Sequence, residues 1–192
     1  MERKNIDTVL IIGRPGSGKG TQARILSEKF GWARLSTGDR IKQIRDGHEP
    51  FSPRVRELYD KGKLLPDWFA DYLLESALLD RESYVGVVLE GFGRTKGQAE
   101  HFCEIVSWLG RNLVVLNLEV SDDEVVRRMV ARAAQEDRPD SSEETLRTRL
   151  AQYAELTAPA LEFFREQGYV VDIDGEVPPE EVAEAISGAL AK

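Results

Sequence analysis

The sequence predicts a three-layer α/β fold, a five-stranded parallel sheet covered by helices on both faces. Three observations lead there. Short β-branched runs alternate with longer amphipathic stretches. A glycine-rich turn joins the first such run to the first helix. The 192 residues fit one domain with a real core and small excursions.

The elements follow in order. Residues 8–12 are apolar and closed by Gly13, so they read as a buried strand. Lys19–Phe30 has helical periodicity through Ala23, Ile25, Leu26 and Phe30, and Gly31 ends it. Ala33–Ser36, residues 84–89, Leu113–Glu119 and residues 169–173 supply the remaining strands. Helices are expected over 39–45, 53–61, 67–79, 96–109, 122–134, 143–167 and 180–190. Ser121 before Asp122, Asp123 and Glu124 predicts a capping box with acidic residues at the positive end of the dipole. Ser141 with Glu144 repeats that device, and Pro178 with Pro179 suits a helix opening. In helix 122–134, Val125, Val126, Met129, Val130 and Ala133 form the expected buried stripe, flanked by Arg128 and Arg132. Two regions break the alternation: the helical pieces between strands two and three, and the irregular stretch 134–142. Both read as movable flaps.

Composition narrows the classes. Hydrophobic residues at 41% and charged residues at 31% suit an ordinary globular domain, while a formal charge of −8 argues against nucleic acid or an anionic membrane as the main partner. A small anionic ligand stays compatible, since a local arginine cluster can oppose the global sign. Cys103 is the single cysteine, so no intrachain disulfide forms and a reducing compartment is expected. Its apolar neighbours mark it as a core filler rather than a nucleophile. The apolar runs are too short to span a bilayer and the N-terminus shows no cleavable signal pattern, so a cytoplasmic location is expected.

Chemistry concentrates at Gly13-Arg14-Pro15-Gly16-Ser17-Gly18-Lys19, a G-x4-G-K pattern between a strand and a helix. Its glycines let backbone N–H groups turn inward around oxyanions, and the helix N-terminus adds partial positive charge. Lys19 can reach the outer phosphates. Ordinary cradles of this kind place Ser or Thr directly after the lysine to hold magnesium; here Gly20 stands there and Thr21 follows.

That cradle resembles the G-x-P-G-x-G-K-G-T-Q sequence of adenylate kinases and related nucleoside monophosphate kinases. Further stretches agree in order: "LSTGD" at 35–39, "GKLLPD" at 62–67, "EGFGRTKGQAE" at 90–100, and the arginine-rich segment 128–164. The similarity covers nearly the whole chain and points to the short-lid form without a zinc insertion. It implies a P-loop NTPase fold in one kinase domain, 1–192, with a nucleoside monophosphate-binding flap at about 36–65 and a short lid at about 132–142. It also implies reversible transfer of the γ-phosphoryl group of MgATP to AMP, giving two ADP, by a monomer.

The resemblance assigns roles residue by residue. Gly16, Ser17, Gly18, Lys19, Gly20 and Thr21 would cradle the ATP phosphates, with Arg128, Arg132 and the Gly175 backbone toward the rest of ATP. Thr37, Lys42, the Lys63–Leu64–Leu65 backbone, Gly91, Phe92, Gly93 and Gln98 would hold the acceptor, with Gln98 reading the adenine edge. Arg94 would grip the acceptor phosphate, while Lys19, Arg94, Arg132, Arg138 and Arg149 would stabilise the transferred group. Arginine suits this task because it is planar, always charged and bidentate, and because such transfer depends on alignment and charge neutralisation rather than a general base. Arg127 and Arg147 read as solvated. Glu90 would organise magnesium through water. Two other readings stay open: a kinase for CMP, UMP or a deoxynucleotide, and a nucleotide-binding sensor with little turnover.

Four positions depart from the family pattern. Glu90 stands for an aspartate, which moves the carboxylate by about an ångström, an error that can cost about a hundredfold in rate. Gly93 replaces a proline that follows a cis bond in the family. Such a bond before a non-proline residue costs about 3–4 kcal/mol, so a trans Phe92–Gly93 bond and a rebuilt turn around Arg94 are expected. Lys42 replaces an arginine and loses its fork, with Arg40 nearby. Asp137 replaces a glycine and Ser141 an aspartate in the lid, which predicts slower transfer or leakage of ATP to water.

Overall fold

The computed structural model describes residues 6–80, 85–135 and 143–191, with backbone alone for 132–135 and 143. Its five strands are β1 (Thr8–Gly13), β2 (Ala33–Ser36), β3 (Val87–Glu90), β4 (Leu113–Glu119) and β5 (Val170–Asp174). They form one parallel sheet in the order β2-β3-β1-β4-β5. Alternation along β1 sends Leu10 and Ile12 to one face and Val9 and Ile11 to the other, each into its own core. Helices α1 (Lys19–Phe30) and α9 (Pro179–Leu190) cover the Val9 face through Ala23, Leu26, Val182 and Ile186. The Leu10 face is covered by α2 (Thr37–Asp46), α3 (Ser52–Asp60), α4 (Asp67–Leu78), α5 (Lys96–Trp108) and α8 (Ala158–Glu166). Helices α6 (Asp122–Gln135) and α7 (Glu143–Gln152) complete the chain. None of the helices among the described residues is long and apolar enough to cross a membrane.

The expected layers are therefore present, with several local corrections. Helix α2 starts at Thr37 instead of 39, because the Ser36 side chain accepts the Asp39 N–H at 3.2 Å and caps it directly after β2. Strand β3 begins at Val87 and runs on to Glu90; of the expected start, Tyr84 lies outside the described residues. The helix expected over 143–167 is broken into α7, a π-turn over Tyr153–Thr157, and α8. Pro159 lies in the first turn of α8, and its missing N–H cannot donate back to the preceding turn. The Ser121–Glu124 capping box forms only in part. Ser121 Oγ lies 3.5 Å from the Glu124 N–H, but the reciprocal bond to the Ser121 N–H comes from Glu176 at 2.7 Å. Glu124 is drawn away by Arg127 and Arg128. Ser141 lies outside the described residues.

The apolar stripe expected on α6 is also corrected. Val125 is fully buried, but Val126 and Val130 are exposed, because α6 lies over the Gly13–Lys19 loop by one narrow edge. Cys103 packs beside the core of the Leu10 face, and burial pushes its thiol pKa up to about 11, far from a neutral-pH nucleophile.

Candidate active site

The C-terminal edge of the parallel sheet carries the site, the usual place for ligands in open α/β sheets. Between β1 and α1 the chain turns through Gly16 and Gly18 at φ of +81° and +95°. Lys19, the first residue of α1, folds back so that its ammonium donates to the carbonyls of Gly13 (2.8 Å) and Arg14 (2.7 Å). The charge is thereby parked at the loop mouth. Arg14 is anchored to Asp122 and to the Val120 carbonyl, which ties the loop to the start of α6. Met129 of α6 lies against Gly16, 3.0 Å from where a β-carbon would be.

Two cavities flank this loop. One, of about 760 Å³, runs from the loop along Thr21, Gln22, Arg128 and the 175–179 segment. Arg128 holds its wall together: its guanidinium donates to Glu124 at 2.6 Å and to the Gly175 carbonyl at 2.8 Å. Gly175 also donates its N–H to the Glu119 carbonyl at 2.8 Å, so its backbone is bonded on both sides. Arg127 is exposed and pairs with Glu124, as a solvated arginine should. Those hydrogen bonds, from Arg127 first and Arg128 second, hold the Glu124 carboxyl at a pKa of about 2.

The other cavity, of about 290 Å³, lies under α2 and α3 and is lined by Thr37, Lys63, Leu64, Leu65, Gly91, Phe92, Arg94, Gln98 and Arg149. Thr37 donates to the Glu90 carbonyl at 3.0 Å, joining the start of α2 to the end of β3. Arg94 is bent over its own turn, donating through Nε to the Gly91 carbonyl at 3.0 Å. Desolvation lowers its pKa, and the neighbouring Arg149 charge adds to the effect. Two cations held this close make a strong anion site. Arg149 itself lies over the Tyr59 ring at 5.9 Å, and Arg45 over the same ring at 5.5 Å.

Gln98 is almost fully buried and oriented from two sides. Its Oε1 accepts the Arg94 N–H at 2.9 Å, and its Nε2 donates to Asp67 Oδ1 at 2.8 Å. One N–H and one lone pair remain on the amide, enough for one base edge.

Two expected acceptor residues do not line this cavity. Lys42 is exposed on α2, one position past the lining residue Ile41, and Arg40 is spent on Gln43 at 3.1 Å. Gly93 is buried against Leu10 and Phe164, so it shapes the turn without facing the cavity. The Phe92–Gly93 bond is trans, as expected. The side chain of Arg132 and all of Arg138, Asp137 and Asp140 lie outside the described residues.

The cavities meet at Gly16, Lys19, Glu90 and Met129, which line both. Glu90 ends β3 with its carboxylate against α1: a β-carbon on Gly20 would stand 3.2 Å from Glu90 Oε2. The space that a hydroxyl side chain would fill is thus taken by a carboxylate. It is the one carboxylate lining both cavities among the described residues, which include no cluster of three or more His, Cys, Asp or Glu able to hold a metal ion. A lone carboxylate fits magnesium that keeps its waters and takes its other oxygens from phosphates.

Comparison with known proteins decides the family. A family model described as adenylate kinase matches residues 11–169. The chain belongs to the adenylate kinase family. It is 38% identical to the adenylate kinase of Thermobifida fusca over 183 residues, 95% of this chain and 97% of that one. It is 39% identical to the adenylate kinase of Thermus thermophilus, over 95% and 96% of the two chains. Against adenylate kinase 1 of a Synechocystis species the identity is 40%, over 91% and 92%. The chain is accordingly a nucleoside monophosphate kinase, and its glycine-rich loop is the ATP-side P-loop of an adenylate kinase.

Several contributors to this adenylate kinase site escape motif reading: Asp67, Tyr59, Met129 and Arg34. Each belongs to an element assigned to structure, and only Arg34, a charge between apolar residues of a short strand, gives any signal in the sequence.

Proposed function

We propose that the chain transfers the γ-phosphoryl group of ATP reversibly to AMP, giving two ADP, with ATP in the cavity beside Arg128 and AMP in the cavity beside Gln98. The observation that carries this reading is the junction of the two cavities at Lys19 and Glu90. A phosphoryl group passing between nucleotides would cross there without meeting water. The attacking oxygen belongs to an ionised phosphate, so the site needs alignment and positive charge rather than a base. Lys19 would exchange its two carbonyl acceptors for phosphate oxygens. Arg94 and Arg149 would hold the acceptor phosphate and the moving group from the other side, with Arg132 and Arg138 completing the set by resemblance. Lys42, exposed on α2, would contribute long-range charge only.

Magnesium bound with ATP would neutralise its phosphate oxygens, and Glu90 would orient the metal-bound waters. The acceptor flap at about 36–65 would close over AMP, and the lid at about 132–142 over ATP. A cytoplasmic monomer without zinc, nucleic-acid or membrane partners is the setting that the acidic charge and single cysteine support.

The test is to mix the protein with MgATP and, separately, AMP, CMP, UMP, GMP or dAMP, and to follow nucleoside diphosphates by chromatography with a no-acceptor control. ADP formation that requires AMP supports the reading. Turnover with another acceptor alone moves the substrate assignment, and silence with all of them sinks it.

A further inference from the structure

Strand β2 carries a charged residue between two partly buried apolar ones, Ala33 and Leu35. That residue, Arg34, pairs in register with Val88 of β3, and Ser36 pairs with Glu90. Arg34 and Glu90 are therefore diagonal neighbours on one face of the sheet, within reach for long side chains. The guanidinium Nη2 donates to Glu90 Oε1 at 2.6 Å and to Asp39 Oδ2 at 3.0 Å. Glu90 keeps its other oxygen, Oε2, turned toward Gly20. Arg34 lines neither cavity, so whatever it does for the reaction passes through its partners.

This geometry addresses a definite problem. A glutamate has three side-chain torsions, and an outer-sphere carboxylate works by accepting hydrogen bonds from metal-bound water, which demands a fixed direction. A charge-assisted bond to one oxygen supplies that direction and leaves the second oxygen aimed at the phosphate cradle. Without Arg34, the other cation at the cavity junction is Lys19, and a carboxylate turned toward Lys19 would draw it off the phosphates. Asp39 adds a second connection. It lies in the first turn of α2, whose Thr37 and Gly38 line the acceptor cavity.

We propose that Arg34 is a positioning residue: it orients the Glu90 carboxylate for the magnesium–nucleotide complex and, through Asp39, joins that carboxylate to the start of the acceptor-side helix. The proposal rests on the phosphotransfer reading above.

The test uses full-length Arg34→Gln, Arg34→Lys, Glu90→Gln and the double variant Arg34→Gln/Glu90→Gln. Turnover is measured, and ADP affinity is titrated by calorimetry with magnesium and again with a chelator. For Arg34→Gln we expect kcat to fall by about tenfold or more with both KM values within about threefold, as a misaimed group predicts. The tightening of ADP binding by magnesium should shrink by about threefold or more, while the metal-free affinity holds. Arg34→Lys, which keeps the charge, should recover part of both losses, and it also serves if the glutamine variant misfolds. In the Glu90→Gln background, Arg34→Gln should add less than about twofold, since paired residues are non-additive. Equal losses in both backgrounds, or an unchanged magnesium effect on ADP affinity, would overturn the proposal. A wild-type chain that makes no ADP from ATP and AMP would instead overturn the phosphotransfer reading, and the calorimetric arm still decides the role of Arg34.

Discussion

Gly93 lies against the edge of Phe164: a β-carbon on it would stand 3.1 Å from two ring carbons and 3.4 Å from Leu10 Cδ2. Its φ of +62° is in the left-handed region. Proline is held near −65°, so the proline that resemblance expects at this position cannot occupy this turn as it is folded here.

From this contact we expect Gly93→Pro to destabilise the protein by about 3 kcal/mol or more, the usual scale for an incompatible proline plus a core clash. Gly93→Ala should cost less, about 1–3 kcal/mol, because it adds one carbon and a strained φ. Urea unfolding of the three proteins checks the order, and an equal midpoint for proline and glycine would contradict it.

Arg149 and Arg94 face the same anion site, and each opposes the other's charge when no phosphate is bound. Arg149→Met should therefore cut kcat by about a hundredfold or more, the scale for losing one donor to a developing charge. Ligand-free stability should change by less than about 1 kcal/mol, because relief of repulsion offsets the lost contact with Tyr59. Steady-state kinetics and thermal unfolding measured together would separate this from a folding defect.

Asp67 accepts both from Gln98 Nε2 and from Thr95 Oγ1, each at 2.8 Å. Its two oxygens fix which end of the Gln98 amide faces Arg94. An asparagine can accept through only one atom, so Asp67→Asn should loosen the amide. We expect kcat/KM for AMP to fall about tenfold, on the scale of one misaligned hydrogen bond, with the KM for ATP unchanged. An unaltered AMP preference across the acceptor panel would refute the orienting role.

Glu124 gives a pH prediction. Its folded pKa of about 2 lies below the ordinary 4.5, because Arg127 and then Arg128 hydrogen-bond its charged form. A group with a depressed folded pKa contributes stability above its unfolded pKa and loses it as pH falls through the folded one. The stability difference between wild type and Glu124→Gln should thus be constant above about pH 5 and shrink between about pH 4.5 and 2. Denaturant midpoints across that range measure it. The same variant should raise the KM for ATP more than that for AMP, since Glu124 steadies Arg128 on the ATP side.

The layer order, the position of the phosphate loop and most residues lining the two cavities were legible in the sequence by itself. Local signals set them: β-branched runs, a glycine-rich strand–helix turn, and caps such as Ser36 and Thr95 act over a few residues. What spans the sheet was not legible. The burial of Gly93 against Phe164, the π-turn before Pro159, the exposure of Val126, Val130 and Lys42, and the bridge from Arg34 to Glu90 each depend on which elements become neighbours. Chain spacing carries no trace of a contact between positions 34 and 90. Strand register creates it, because β2 and β3 pair in parallel and bring two long charged side chains to one face. The sequence alone determined what kind of chemistry this protein performs; the tertiary structure decided which side chains aim it.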